Sequence, residues 1–430
     1  MAINRIALID PNGELETIAP DGSARRSLTH GEYFYQFPAW SPDGKRIAAV
    51  GGTAEQVGVF TFEDTEQASQ RRWAAPRALF ESQNESPIYL FWSPNSKHLS
   101  FIAALLDRQP PQLALRVIAA DADPEIAARA RPIALGRPCF WDWSADSKAI
   151  LLHTGTSEDS AHVRLIDPFN PSRGKVSLSM QPGFFRAPGI SRTGRYLAFG
   201  EVSRNGNARL TVDDRQVNRR IAIEHHGFAA LGWSPTDDRL AFICPTEPIN
   251  TYYGPLRVVD VTEGRAQVIT EDTVLAFFWS PMGDRIAYFT VAEHAIQFNA
   301  LLAQLDPAEA ARVGGSARPD VSEDDSEDAS APSFMPLNLW IADLKRSETQ
   351  LVCTFEPVET FLSLFLPFFD QYALSHRLWS PDGSALVLPM MRREGGGEEA
   401  RPFICVVPAD RRAGAPLPIA EGIMAFWSWQ

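Results

Sequence analysis

Short apolar runs rich in β-branched and aromatic residues, parted by turns of Gly, Pro, Asp and Asn, fill most of this chain. That is the pattern of strands joined by tight turns. The runs keep register with a phrase written eight times, fullest as Trp40-Ser41-Pro42-Asp43-Gly44 followed by Lys-Arg-Ile-Ala. Its copies begin at Trp40, Trp92, Trp143, Ile190, Trp233, Trp279, Trp379 and Trp427, and serine follows the lead residue every time. Seven places on stand Ile47, Leu99, Ile150, Leu197, Leu240, Ile286 and Leu386, all aliphatic; nine places on stand Ala49, Phe101, Leu152, Phe199, Phe242, Tyr288 and Leu388. Self-similarity of this kind marks a repeat fold.

The copies are 43 to 52 residues apart, except for 100 between Trp279 and Trp379. The first step predicts a strand ending Phe37-Pro-Ala-Trp40, a turn at Pro42-Asp-Gly44, and a strand over Arg46–Val50. Two more strands follow, near Gln56–Phe62 and Arg77–Phe80. Proline presets φ for the turn, aspartate bonds back to the backbone, and glycine takes the left-handed position. Four antiparallel strands per step is the blade of a β-propeller. The last copy stops at Trp427-Ser428-Trp429-Gln430, whereas Arg5-Ile-Ala-Leu8 near the start matches the second strand of other copies. We therefore expect one all-β propeller over residues 1–430, its ring closed by N-terminal strands beside the C-terminal strand. Eight blades is the reading and seven the alternative, the blade at Ile190 being the weakest.

Two stretches break the pattern. Residues 305–336, with the run Glu323-Asp-Asp-Ser-Glu-Asp328, are expected to be a disordered acidic insertion in the sixth blade. Residues 361–372, Phe-Leu-Ser-Leu-Phe-Leu-Pro-Phe-Phe-Asp-Gln-Tyr, are too apolar for a surface loop and precede the seventh blade. This segment either plugs the ring or presents an apolar patch to a partner through Phe361, Leu364, Phe365, Phe368, Phe369 and Tyr372.

A formal net charge of −13 and scattered arginine pairs argue against nucleic acid, which requires a basic face. No run approaches the length of a membrane span, and the start does not read as a signal peptide, so cytoplasmic residence without membrane insertion is expected. Cys139, Cys244, Cys353 and Cys405 lie far apart in strand-like contexts and read as reduced, buried thiols.

The repeat resembles the TolB-type, WD40-like propeller repeats, which carry Trp-Ser-Pro-Asp-Gly and then Lys/Arg-Ile-Ala-Phe. Trp40–Ala48, Trp279–Tyr288 and Trp379–Leu388 match best, with looser copies at Trp92, Trp143, Ile190 and Trp233. The resemblance covers nearly the whole chain and implies the fold far more than a function. TolB has a leader and an N-terminal α/β domain, and the related peptidases have a hydrolase domain; neither is expected here.

Chemistry is sparse. Nucleophile-elbow, P-loop, dinucleotide and zinc-protease motifs are missing, and Gly189-Ile-Ser191-Arg-Thr193 lacks the second glycine of an elbow. The eight serines after the lead residue read as turn caps. Of eight histidines only His225 and His226 are adjacent, and strand neighbours point to opposite faces. No metal or other cofactor is expected. What remains is the channel mouth, where the strands leading into each Trp would place Tyr35, Gln36, Asp142, Arg186, His376 and Arg377 as an anion- or peptide-binding rim. The function expected is a non-enzymatic scaffold for a protein partner. The alternatives are a hydrolase or lyase working at the channel mouth, and an accessory subunit of a membrane or export complex.

Overall fold

A computed structural model describes the chain apart from residues 1–3, 32, 54, 65–75, 109–111, 130, 156–161, 172–175, 180–181, 184, 203–206, 248–251, 293–334 and 394–398. Most of the expected acidic stretch lies outside the described residues. Of its last two residues, Met335 is buried in the core.

Eight antiparallel sheets form a β-propeller. Blade one carries Phe34–Trp40, Arg46–Gly52, Val57–Glu63 and Arg77–Ser82 in spatial order, and five more blades repeat this four-strand order. The remaining sheet of four takes Met424–Trp427 from one end of the chain and Ile6–Ile9, Leu15–Ile18 and Arg26–Ser27 from the other. Within it Ile6 pairs with Trp427 and Ile9 with Met424. Blade four is irregular where the phrase is weakest: its first strand is only Gly189–Ile190.

The repeated phrase is a capped turn. Ser41 is fully buried; its hydroxyl donates to Asp43 at 2.7 Å and accepts from the Arg46 N–H at 3.0 Å. Ser93, Ser144 and Ser380 repeat this with Asn95, Asp146 and Asp382. The fifth position needs a left-handed backbone. Gly44, Gly283 and Gly383 supply it freely, while Ser96 and Ser147 adopt it at φ of 60° and 61°.

The phrase also ties blade one to blade two and blade six to blade seven. The Arg46 guanidinium sits over the Trp92 ring at 5.4 Å and donates to the Ser96 carbonyl at 3.1 Å. Arg285 does the same with Trp379, at 5.5 Å, and with Gly383. In return, Trp92 Nε1 donates to Ala39 of blade one at 3.0 Å, and Trp379 Nε1 to Phe278 of blade six at 3.1 Å. A planar, always-charged guanidinium can stack and donate at once, which a lysine cannot.

Blade seven departs from the plan. Its sheet has three strands, Ala385–Arg393, Ala400–Pro408 and Leu417–Glu421. The place of the innermost strand is taken by two short pieces: Pro357 bridges Met390, and Trp379 bridges Leu386. Stepping back from Trp379 along one continuous strand, the residue facing Met390 would be Ser375; Pro357 stands there instead, eighteen residues earlier. The apolar segment therefore interrupts the first strand of blade seven rather than merely preceding it. Residues 358–375 bulge out of that strand as an insert.

Candidate functional site

The insert goes into the channel. It forms a π-helical turn over Phe361–Phe365, a 3-10 turn over Leu366–Phe368 and an α-helix over Phe369–Ser375. Its α-helix touches the first strands of blades two, three, five and six, which are Glu85–Trp92, Cys139–Trp143, Ala230–Trp233 and Ala276–Trp279. Phe361, Phe365, Phe369 and Tyr372 follow helical spacing and form one aromatic face. Phe361 meets Phe289 at 5.7 Å, Phe365 stacks on Phe278 at 5.8 Å, Phe369 meets Phe277 at 5.1 Å, and Tyr372 stacks on Phe37 at 5.0 Å. The insert thereby joins an apolar cluster that draws on every blade except the fourth, whose core is separate.

All four of these aromatic side chains are buried, and Leu364 and Phe368 are half-buried. The expectation that the segment offers an apolar face to a partner is thus corrected. Its aromatic face is spent inside the ring, because the channel is the nearest apolar surface that can cover it.

Polar groups lock the insert in place. The Gln371 side-chain amide accepts from the Trp141 N–H at 2.9 Å and donates to the Trp141 carbonyl at 2.8 Å. Gln371 Nε2 also donates to Tyr89 Oη at 3.1 Å, which lies 2.7 Å from Ser375 Oγ, which lies 2.6 Å from His376 Nδ1. His376 Nε2 is 3.2 Å from the Phe37 carbonyl. A neutral imidazole protonated on Nε2 lets every hydroxyl along this chain donate onward. Burial lowers the His376 pKa to about 3, which keeps the ring neutral.

On the other side Arg186 Nε lies 3.4 Å from Asp370 Oδ1, and Asp370 Oδ2 accepts from the Ala187 N–H at 3.2 Å. The guanidinium also donates to the Pro367 carbonyl and stacks on Tyr252 at 3.9 Å. Arg186 Nε, Arg186 Nη2 and Asp370 Oδ1 are buried without a hydrogen-bond partner. Such an ion pair meets the desolvation cost of two charges with imperfect geometry.

The expected rim residues are scattered by this arrangement. Tyr35 is buried within blade one against Phe60 and Phe62, and Gln36 is half-buried beside it. Asp142, Arg186 and His376, expected at an open mouth, are buried instead. Asp142 accepts from the Ile190 N–H at 2.8 Å, bridging blades three and four, and burial raises its pKa to about 7. Arg377 stacks on Trp429 at 4.7 Å and donates to its carbonyl. Only Arg186 and His376 meet the insert's polar groups. Sequence reasoning missed Asp370 and Ser375 as their partners, and Gln371 as the partner of Trp141 and Tyr89. The available signal was an Asp-Gln pair inside an otherwise apolar run.

Among the described residues no group of three or more His, Cys, Asp or Glu side chains could hold a metal ion. Burial raises the pKa of the Cys139 thiol to about 12, which makes it a poor nucleophile. No helix among the described residues is long and apolar enough to cross a membrane.

Comparison with known families and with curated proteins finds no match to this chain. Solved structures do resemble it. The crystal structure of the eukaryotic initiation factor aligns over 99% of this chain and 98% of its own, with 12% identity and a TM-score of 0.51. Dihydro-heme d1 dehydrogenase NirN aligns over 99% of this chain and 75% of its own, again at 12% identity and a TM-score of 0.51. TolB from Acinetobacter baumannii is a more distant neighbour, covering 89% of this chain and 82% of its own at 14% identity and a TM-score of 0.38. At such identities the first two likenesses speak to the propeller fold alone.

Proposed function

We propose that this protein is an interaction scaffold that holds a protein partner. The observation that carries the reading is the filled channel. An enzyme of this fold working at the channel mouth needs space and free polar groups there, yet Asp142, Arg186 and His376 are committed to neighbouring blades or to residues 358–375. An eight-bladed propeller whose interior is occupied by its own chain suits recognition of a partner rather than turnover of a small substrate.

The reading is tested by affinity capture of the intact chain from its native extract, followed by cross-linking and mass spectrometry. A stoichiometric protein partner cross-linked to the propeller is the expected result. Recovery of the chain alone, together with turnover of a small substrate by the purified protein, would instead favour the hydrolase or lyase alternative.

A further inference from the structure

We propose that the channel is a binding site for an amphipathic aromatic helix, and that residues 358–375 are its resident occupant in cis, displaceable by a partner helix of the same chemistry. The proposal rests on the scaffold reading and says where and how such a partner would dock.

Pro357 takes the place of Ser375 opposite Met390, so the two ends of the insert meet the same strand position. Blade seven keeps its register on both sides: the Met391 N–H donates to Glu356 at 2.8 Å, and the Val387 N–H donates to Leu378 at 2.8 Å. The insert contributes no strand to any sheet. It can leave the channel without breaking a ladder.

The channel reads the insert as a groove reads a helix, through residues on one face, here Phe361, Phe365, Phe369 and Tyr372. Gln371 adds a specific check, because its amide matches both the N–H and the C=O that the first strand of blade three turns toward the channel at Trp141. Asp370 answers the buried charge of Arg186.

The cis fit is imperfect. Three helical geometries follow one another within fifteen residues, and none has a side-chain N-cap. A π-helical turn is a rare, costly arrangement. An occupant tethered at both ends cannot relax these defects, whereas a free helix can adjust its depth and pitch.

The test uses a variant lacking residues 358–375, in which Pro357 is joined directly to His376, and a fluorescent synthetic peptide of residues 358–376. Binding is followed by anisotropy. The variant is expected to bind the peptide saturably. Peptides carrying Gln371→Ala or Asp370→Asn should bind about tenfold more weakly, the loss expected from one buried polar contact. The intact protein should bind the unaltered peptide at least tenfold more weakly than the variant, because the tethered insert competes at high effective concentration. A folded variant that ignores the peptide, or equal binding by intact and deleted chains, would overturn the proposal.

Should the variant fail to fold, hydrogen exchange on the intact chain decides. Amides of residues 361–375 should exchange about a hundredfold faster than those of Ala385–Arg393 and Ala400–Pro408, as a separately opening unit does. Exchange of both at one rate means the insert leaves only with the whole ring, and the idea fails. The peptide readout does not depend on a cellular partner, so its failure leaves the scaffold reading standing.

Discussion

Gln371 and Trp141 are joined by two hydrogen bonds, at 2.9 and 2.8 Å, between a helix side chain and a strand backbone. The inner edge of blade three would otherwise expose an unpaired N–H and C=O in a dry channel, and each such group costs about 1–3 kcal/mol when buried without a partner. Gln371→Ala should therefore lower unfolding stability by a few kcal/mol in a urea titration. Gln371→Glu, which keeps the acceptor and loses the donor, should also destabilise. A change no larger than that of an exposed control such as Arg265→Ala would show that the pairing contributes little.

The Arg285–Trp379 contact spans the boundary between blades six and seven. Arg285→Lys keeps the charge but loses the planar stack and the forked donor toward Gly383. A stability loss of about 1 kcal/mol is expected, of the size of one stacking or hydrogen-bond contribution. The same substitution at Arg346, on the surface, should be neutral.

Ser41→Ala removes the hydroxyl that joins Asp43 to the Arg46 backbone. Loss of roughly 1–2 kcal/mol is expected from these buried bonds, with partner binding unchanged. Loss of binding with unchanged stability would mean that the turn serine has a role beyond capping.

The pH dependence has two opposing parts. The pKa of Asp142 is raised from 3.8 to about 7 by burial, so the folded chain holds a proton there that the unfolded chain releases. Its contribution is intact below pH 4 and is lost as pH rises to about 7, at roughly 1.4 kcal/mol per unit. Burial lowers the pKa values of His376 and His153 from 6.5 to about 3 and about 4, so their contributions are intact above pH 6.5 and fall away in acid. Between pH 4 and 6.5 the two histidines outweigh the single aspartate, and stability should rise with pH. Asp142→Asn should steepen that rise and make the protein more stable than the parent above pH 7. Denaturant midpoints measured from pH 4 to 8 check both statements; a flatter profile in the variant would refute the assignment to Asp142.

How legible the chain was depended on the range of the interactions. The eight-fold phrase could be read directly because its physics is local: Ser41, Asp43, Gly44 and Arg46 make one turn among themselves. Even the sharing of one sheet by both termini was visible, since Arg5-Ile-Ala-Leu8 keeps the spacing of the repeat. Composition likewise marked residues 361–372 as too apolar for solvent.

Their destination was not legible. Gln371 meets Trp141 across 230 positions, and His376 meets Phe37 across 339. No local pattern encodes such pairings. Arg186 looked like a free cation at a rim until the ring brought Asp370 within 3.4 Å of it. By itself the sequence determined the blades and their turns, and favoured eight of them over seven. Only the tertiary structure decided that residues 358–375 occupy the channel and that Asp142, Arg186 and His376 are buried against neighbours there, because an apolar face and a buried charge are satisfied by whatever the packing places against them.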